Sequence, residues 1–421
     1  MVFLSNFKST VFLWVLIGAS CGNPTKGQKT NEDPTHHTAN TIVQESIIVG
    51  ANNTDAYLPL LKGKNIGLVA NQTSVIFKQI KTTEPDIPMA HTHIIDSLLT
   101  HHISITKVFA PEHGFRGAAD AGEKVKDDVD AKTGLPLISL HGKNRKPTPE
   151  QLQGLDLILF DIQDVGVRFY TYIATLQLVM EACAESNVPI VVLDRPNPNG
   201  HYIDGPTMEE EHFNFLGMTP IPLVYGMTIG EYAQMLNGEG WLADGNRADL
   251  KVIPLKNYTH ASTYHLPIRP SPNLPNDKAI NLYPSLGLFE GTSVNAGRGT
   301  EEQFQRYGAS FLDSLAYTFS YTPQPNFGSK YPKEEGKICY GKDLSQISKM
   351  QEVSLAWIIE AYQNTSKPKS FFKTNGFTKH AGTTELQKQL EKRFTEAQIK
   401  ATWQEAILRF KPIRSKYLIY D

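Results

Sequence analysis

Residues 155–198 read LDLILFDIQDVGVRFYTYIATLQLVMEACAESNVPIVVLDRPNP, and this stretch decides the fold. Two short apolar runs, 155–160 and 188–193, have the length of buried strands. Residues 172–185 lie between them and carry apolar side chains on one helical face: Ile173, Leu176, Val179, Met180 and Cys183. A strand, a helix and a second strand in this order are typical of a parallel sheet. Cys183 is predicted to be a buried thiol.

Two earlier apolar runs extend the same pattern toward the amino terminus. Residues 65–69 and 103–109 also read as buried strands, and a helical pattern covers residues 94–101 between them. Residues 251–255 are a further candidate strand. Strands that alternate with helices predict an α/β fold with a doubly wound, mainly parallel sheet.

The second half of the chain reads differently. The 421 residues exceed one ordinary domain and predict two. The proline-dense stretch 267–284 is predicted to be the junction and part of a wall of the binding site. Before it, Thr228 is predicted to cap a helix, with Glu231 completing a capping box. After it, short strands are expected together with helices at 345–364 and 384–409.

The amino terminus predicts export. Lys8, the short apolar run 11–17, three small residues and Cys21 follow one another in the order of a lipoprotein signal. Such a signal is cleaved before a cysteine that then carries lipid, and a plain secretory signal is the alternative. Residues 22–45 are polar and are predicted to be a disordered tether. We therefore expect an exported, periplasm-facing or outer-membrane lipoprotein whose only contact with a membrane is the lipid anchor.

Composition argues against several classes of function. The net charge is −2 and no basic stripe occurs, so nucleic acid is not an expected partner. The three cysteines form no CxxC pair, which leaves a zinc site unsupported. No GxGxxG or Walker sequence occurs at the strand-to-helix turns and no GxSxG elbow follows a strand, so neither a nucleotide site nor a serine hydrolase is supported. The clustered histidines are predicted to lie on the surface rather than bind a metal: His91, His93, His101 and His102.

Each buried strand is followed by a polar cluster. Residues 71–73, 111–114, 161–164 and 194–197 follow the four strands in turn. In open α/β sheets, ligands bind beyond the carboxyl ends of the strands. The four clusters are therefore expected to converge on one crevice.

The sharpest of these patterns is PEHGFRG at residues 111–117. Glu112 is a candidate general acid whose pKa a partly apolar crevice would raise. The alternative is a loop carboxylate that caps the next helix or pairs with Arg116. From the residues alone, the two interpretations have equal weight.

Residues 160–172 (FDIQDVGVRFYTY) bring polar and aromatic side chains into one strand-to-helix turn. The hydroxyls of a sugar need hydrogen-bond partners, and the C–H face of a sugar ring packs on aromatic rings. This mixture of polar and aromatic side chains therefore suits a sugar ligand. The alternative for Asp164 and Arg168 is a structural ion pair. In DRPNP at 194–198, Asp194 and Arg195 either bind a ligand or clamp the loop, and the two prolines hold Asn197 outward. The candidate residues of the two patterns are Asp161, Gln163, Asp164, Arg168, Tyr170, Tyr172, Asp194, Arg195 and Asn197.

EGTSVNAGRGT at residues 290–300 is the fourth pattern. Glu290 follows a short apolar run. Arg298 lies between two glycines, which allow the backbone to approach a ligand closely. Arginine is the natural two-pronged partner of a carboxylate on a substrate.

In this order, the motifs resemble the NamZ-type exo-β-N-acetylmuramidases, from about residue 47 to the terminal YLIYD. They are ANQTS, APEHGFRG, FDIQDVGVRFYTYIATL, DRPNPNG, GMTIGEYAQMLN, SPNLP and EGTSVNAGRGT. The resemblance implies a Rossmann-like domain, a smaller α+β carboxyl-terminal domain and an active cleft between them; we place these domains at 46–256 and 257–421. It also implies removal of terminal N-acetylmuramic acid from the non-reducing end of peptidoglycan fragments, with no metal or organic cofactor. One departure is Gln303, where the family usually has proline.

The resemblance and the chemistry together assign roles. Glycoside hydrolysis usually needs two carboxyl groups. Glu112 is the predicted acid, and either Asp164 or Glu290 is the second group, unless the 2-acetamido group of the substrate assists. Arg298 and Arg168 are expected to meet the lactyl carboxylate, with Arg195 behind them, and His113 to hold Glu112 or touch the sugar. Asn71, Asn273 and Asn295 complete the predicted binding residues. The rival functions are a muropeptide-binding lipoprotein without catalysis and a Rossmann-type transferase.

Overall fold

The computed structural model describes residues 45–78, 90–111, 114–116 and 128–421. Their strands are β1 Asn65–Ala70, β2 Val75–Phe77, β3 His91–His93, β4 Ser104–Ala110, β5 Asp128–Val129, β6 Pro136–Ser139, β7 Leu157–Asp161, β8 Ile190–Leu193, β9 Leu250–Ile253, β10 Arg306–Ala309, β11 Phe319–Tyr321 and β12 Cys339–Asp343. Their α-helices are α1 Thr54–Leu61, α2 Ile94–Thr100, α3 Pro149–Leu152, α4 Tyr172–Ser186, α5 Ile229–Gly238, α6 Asp277–Leu286, α7 Ala356–Gln363, α8 Thr374–Ala381, α9 Glu385–Glu391 and α10 Glu396–Ser415.

Seven strands form the central sheet in the order β5-β6-β4-β1-β7-β8-β9. All neighbours pair in parallel except β5, which runs antiparallel to β6 at one edge. Strands β7 and β8 are buried along their whole length, as expected for a parallel sheet covered on both faces. The predicted doubly wound α/β fold is confirmed.

The order of the strands reverses at β1. The chain passes from β1 to β4 and β6 on one side, then crosses to β7, β8 and β9 on the other. Register places the carboxyl ends level, because Val69 pairs with both Phe109 and Phe160, and Phe160 with Val192. The polar clusters that follow these strands therefore start from the same edge, at the switch point where open α/β sheets bind ligands.

Local sequence explains the helices that cover this sheet. Helix α4 begins and ends within one residue of the predicted span, and it ends at Asn187, which adopts the left-handed conformation that stops helices. Cys183, on its buried face, is a free thiol as predicted. Helix α5 begins with the predicted capping box: Thr228 Oγ1 accepts from the Glu231 N–H, and the Glu231 carboxylate accepts from the Thr228 N–H.

The carboxyl-terminal part adds a smaller antiparallel sheet, β10-β12-β11, and helices α7 to α10. The predicted helix at 345–364 is shorter, since α7 spans only Ala356–Gln363. The predicted helix at 384–409 is two helices. They part where Arg393 has a φ of 59° and Thr395 opens a new capping box with Gln398. No helix of the described residues is long and apolar enough to cross a membrane.

Candidate active site

The backbone carbonyl of Pro270 accepts hydrogen bonds from side chains that follow two different strands. Pro270 C=O accepts hydrogen bonds from the Tyr170 hydroxyl at 2.7 Å, from the Tyr172 hydroxyl at 3.4 Å and from Gln72 Nε2 at 3.1 Å. Gln72 follows β1, and the two tyrosines follow β7. The proline-dense stretch therefore closes over the carboxyl edge of the sheet.

A cavity of about 140 Å³ lies beside this junction. Aromatic rings form much of its wall and pack edge to face: Phe169 on Tyr283 at 5.0 Å, Tyr170 on Tyr172 at 4.8 Å and Tyr283 on Phe304 at 4.7 Å. Its polar lining includes Thr171, Ser271, Asn273, Glu290, Arg298 and His380. Pockets for drug-sized ligands hold roughly 300–1,000 Å³, so this cavity suits part of one sugar residue rather than a glycan chain.

Charge is concentrated around Glu290. Arg298 Nη1 lies 3.1 Å from its carboxylate, and Lys333 Nζ donates to the carbonyls of Phe289 and Glu290 at 2.8 Å and 3.0 Å. Burial opposes ionisation, but the charges of Lys333 and Arg298 outweigh it and lower the pKa of Glu290. Glu290 is therefore an ionised carboxylate beside two cations, suited to accept a proton or to face a developing positive charge.

Backbone packing brings distant segments to this carboxylate. Gly291 follows Glu290, and a Cβ there would lie 2.4 Å from Phe377 Cα of α8, so only glycine allows this approach. Arg298 stands between Gly297 and Gly299, whose φ values of 80° and 81° favour glycine. Asn295, a predicted ligand, instead holds this loop, because its Nδ2 donates to the carbonyls of Arg298 and Lys333.

Asn273 and the tyrosines are the predicted ligands that line the cavity together with Glu290 and Arg298. Asn273 Nδ2 donates to Gly328 C=O at 2.5 Å, and among the described residues its buried Oδ1 has no hydrogen-bond partner. Gly328 C=O also accepts from Arg298 Nη2 at 3.4 Å. The structure thus brings five predicted residues to one cavity: Tyr170, Tyr172, Asn273, Glu290 and Arg298.

Asp164 lies behind the cavity wall. Its Oδ2 accepts from the Tyr225 hydroxyl at 2.5 Å and from the Gly166 N–H at 2.7 Å, and burial raises its pKa to about 6. The alternative of an ion pair with Arg168 is wrong, because the Arg168 guanidinium donates only to backbone carbonyls among the described residues: Pro206, Ile221, His380 and Ala381. Arg168 is almost fully buried, which argues against its predicted contact with the lactyl carboxylate.

An ion pair and side-chain hydrogen bonds within the protein hold the DRPNP loop in place. Arg195 binds the carboxylate of Asp161 through two nitrogens, at 2.6 Å and 2.8 Å. Asp194 accepts from Thr228 Oγ1 at 2.8 Å and from the Tyr420 hydroxyl at 2.7 Å. Asn197 Nδ2 donates to Met227 C=O at 2.8 Å. For Asp194 and Arg195, these contacts support the clamping alternative over ligand binding. Asp161 and Asn197, which were predicted to face the ligand, are engaged by the same set of internal contacts.

The loops after β1 and β7 are joined in the same way. Asn71 Oδ1 accepts from Thr73 Oγ1 at 2.6 Å, and Thr73 Oγ1 accepts from the Gln163 N–H at 3.0 Å. Gln163 Nε2 donates to Pro196 C=O at 2.6 Å. Asn71 and Gln163 thus act as links between loops. His93 is partly buried against Asn71, with Nε2 2.9 Å from its carbonyl, so the predicted surface position of this histidine is wrong.

Three predicted residues, Glu112, His113 and Cys21, lie outside the described residues. Pro111 directly follows β4, at the same edge of the sheet as the other clusters. Arg116, the alternative partner of Glu112, forms a two-pronged ion pair with Asp130 at 2.8 Å and 2.7 Å.

Sequence reasoning missed His380, Lys333 and Tyr283, which join the site from distant segments. No local motif surrounds His380 or Lys333, so only the tertiary fold reveals them.

A larger groove of about 760 Å³ lies between residues 206–210 and helices α9 and α10, and the motif residues are not among its lining. In the described part of the chain, one group of metal-ligand types lies at its rim: Glu209, Glu211 and His212, with ligand atoms within 4.8 Å of one another. Exposed acidic groups of this kind are common without an ion.

Comparisons with known proteins point to one family. Residues 66–278 match the family model "Exo-beta-N-acetylmuramidase NamZ, N-terminal", and residues 281–420 match its C-terminal counterpart. The Peptidoglycan beta-N-acetylmuramidase NamZ of Bacillus subtilis (strain 168) is 38% identical over 383 residues, which cover 86% of this chain and 89% of that protein. Two crystal structures of DUF1343 family proteins from Bacteroides fragilis NCTC 9343 are similar. One has a TM-score of 0.79 and 42% identity, the other 0.72 and 28%, and each comparison covers 89% of this chain and 99% of the other.

Proposed function

The chain belongs to the NamZ family of exo-β-N-acetylmuramidases, and from this premise we propose that it removes terminal N-acetylmuramic acid from the non-reducing end of peptidoglycan fragments. The observation that carries the proposal is the aromatic-walled cavity in which Glu290 lies beside Arg298 and near Lys333. Rings offer packing surface to a sugar, a carboxylate supports glycosidic cleavage, and the two cations favour an anionic ligand.

Glu290 fits the second carboxyl role better than Asp164 does. Its side chain lines the cavity and its pKa is lowered, so it is ionised when a nucleophile or base must be. Asp164 is held behind the wall by Tyr225 and Gly166. With Glu112 as the acid that protonates the leaving oxygen, Glu290 faces the anomeric centre as that oxygen departs.

Arg298 is the arginine that remains for the lactyl carboxylate. Arg168 and Arg195 are almost fully buried and donate to backbone carbonyls and to Asp161. Arg298 instead lines the cavity. An arginine in this position favours the muramide over the glucosaminide, which lacks the lactyl group.

The test is hydrolysis of 4-nitrophenyl β-N-acetylmuramide, with the β-N-acetylglucosaminide as the competing substrate. We expect release from the muramide, and its loss in Glu112→Gln and Glu290→Gln. Glu405→Gln, at an exposed position of α10, is the matched control that keeps activity. If folded wild-type protein releases nothing from the muramide or from a longer glycan, the protein is a binding lipoprotein. Heat protection by nucleotides would instead support the transferase.

We also propose that the protein is exported and anchored by lipid at Cys21, with residues 22–45 as the tether. The support is the order of the signal: a basic residue, a short apolar run, small residues and the cysteine. A substrate that is part of the cell wall agrees with an enzyme held outside the cytoplasm.

A further inference from the structure

His380 contributes an imidazole to the cavity with a defined tautomer. It is the penultimate residue of α8, and it lines the cavity. Nδ1 lies 2.8 Å from Gly376 C=O. Because a carbonyl can only accept, Nδ1 carries the hydrogen in this contact, which leaves Nε2 with a lone pair. No described residue donates a hydrogen bond to Nε2.

The surroundings disfavour the protonated imidazole. Burial lowers the pKa of His380, and the charges of Lys333 and Arg168 lower it further, against the opposing effects of Gly376 C=O and Glu290. The other polar groups of the cavity include the donors Arg298, Tyr170 and Tyr172. In the neutral imidazole, Nε2 is therefore an acceptor in a cavity that also holds the acceptors Glu290 and Asn273 Oδ1.

Arg168 and Phe169, which are consecutive in the sequence, contact the backbone and the ring of His380. Arg168 Nη2 donates to the carbonyls of His380 and Ala381 at 2.9 Å and 2.7 Å, and so satisfies the carboxyl-terminal end of α8. Its Nη1 donates to Pro206 C=O at 2.7 Å. The ring of Phe169 packs on the His380 ring at 5.4 Å. Backbone and ring of the histidine are thus both fixed from the turn that follows β7.

We propose that Nε2 of His380 accepts a hydrogen bond from a free hydroxyl of the terminal sugar, and that Arg168 is the residue that positions it. The inference rests on the proposed function. N-Acetylmuramic acid at a non-reducing end has free hydroxyls at C4 and C6, whereas an internal residue carries the next sugar at O4. An ether oxygen has no hydrogen to donate, so an acceptor at this position selects chain ends when it meets the C4 hydroxyl.

The test combines substrate and protein changes. Wild type and His380→Phe, which keeps a ring for Phe169 but has no acceptor, are compared on 4-nitrophenyl β-N-acetylmuramide and on its 4-deoxy and 6-deoxy forms. In wild type, kcat/KM should fall roughly tenfold to a hundredfold on one deoxy substrate. His380→Phe should lose a similar factor on the full substrate and nothing more on that deoxy form. The deoxy form that shows this coupling identifies the hydroxyl.

The inference would be overturned if, for each deoxy form, kcat/KM fell by the same factor relative to the full substrate in His380→Phe as in wild type. The absolute rates of the two proteins do not affect this comparison. A wild type that cleaves nothing would overturn the proposed function separately. Calorimetric binding of N-acetylmuramic acid and its deoxy forms would then make the same comparison. His101→Phe, at an exposed position, is the control that leaves the ratios unchanged.

Arg168 has its own readout. Arg168→Lys, which keeps a donor near the end of α8, should retain part of the preference for the full substrate over the deoxy form. Arg168→Met should lose that preference and raise KM more than it lowers kcat. A folded Arg168→Met protein with the wild-type preference would contradict the positioning role.

Discussion

Arg195 and Asp161 form a two-pronged ion pair beneath the active-site edge, with Nε–Oδ1 at 2.6 Å and Nη2–Oδ2 at 2.8 Å. Both side chains are almost fully buried. Asp161 ends β7 and Arg195 follows β8, so the pair locks two neighbouring strand ends together. Arg195 also donates to Val75 C=O at 3.2 Å, which extends the link to β2. The pair fixes the sheet edge from which the residues of the cavity wall extend.

Removing one partner of this ion pair should lower the free energy of unfolding. Arg195→Met leaves the Asp161 charge buried without its partner, and we expect a loss of about 3–5 kcal/mol in the free energy of unfolding. Urea denaturation measures it. The double variant Asp161→Leu with Arg195→Met should recover much of the loss, because no charge is then left alone. A single variant that loses less than about 1 kcal/mol, the value of an exposed pair, would contradict the structural role.

Glu290 and Asp164 should differ sharply in their effect on turnover. Glu290→Gln removes the ionised carboxylate of the cavity, and kcat for the chromogenic muramide should fall by roughly a hundredfold or more. Asp164→Asn, behind the wall, should lower kcat by less than about tenfold. Thermal melting of both variants checks that they fold. A greater loss in Asp164→Asn would reverse the assignment of the second carboxylate.

Lys333 should set the acid limb of the pH–rate profile. Burial raises the pKa of Glu290, and the charges of Lys333 and Arg298 contribute most to the net lowering. Lys333→Met removes one of these charges, so the pKa of Glu290 should rise and the acid limb of kcat/KM should move to higher pH. Lys337→Met is the control, since Lys337 is exposed and pairs with Glu334. An unmoved limb in Lys333→Met would show that its charge does not act on the titrating group.

The sequence predicted the central sheet well because its signals are local. The apolar runs that became β7 and β8 and the helical period of α4 each lie within about fifteen residues, and the rule for open sheets placed their polar ends at one edge. Of the helix expected at 345–364, only Ala356–Gln363 forms α7, which packs Trp357, Ile358 and Ala361 inward. Helical periodicity without a tertiary partner does not stabilise a helix.

The roles of individual polar residues were harder to predict, because they depend on contacts between distant parts of the chain. Arg168 meets carbonyls 38 and 213 residues away, at Pro206 and Ala381, and no spacing rule anticipates them. Arg195 and Asp161 come from two separate motifs, yet they bind one another. The composition of the motifs located the active-site edge, but it could not separate the side chains that face the cavity from those that brace it.

The proposed lipidation at Cys21 predicts a specific change in location. A Cys21→Ser protein has no thiol to carry lipid, so it should leave the membrane fraction and fail to incorporate labelled fatty acid, while its activity on the soluble muramide stays at the wild-type level. Cys183→Ser is the control, because Cys183 is a buried thiol of the folded part. Membrane association that persists in Cys21→Ser would rule out the lipid anchor.

Asp164 predicts a pH dependence of stability with a definite sign. Burial raises its pKa from 3.8 to about 6, so the native state holds this proton more tightly than the unfolded state does. The resulting stabilisation is fully present below about pH 3.8 and is lost as pH rises through about 6. Asp164→Asn has no group that titrates there. The free energy of unfolding of wild type, relative to Asp164→Asn, should therefore fall by on the order of 2–3 kcal/mol between pH 4 and pH 7. Urea unfolding of both proteins at each pH measures this difference, and a difference that stays flat or rises with pH would mean that Tyr225 and Gly166 keep the carboxylate ionised in the fold.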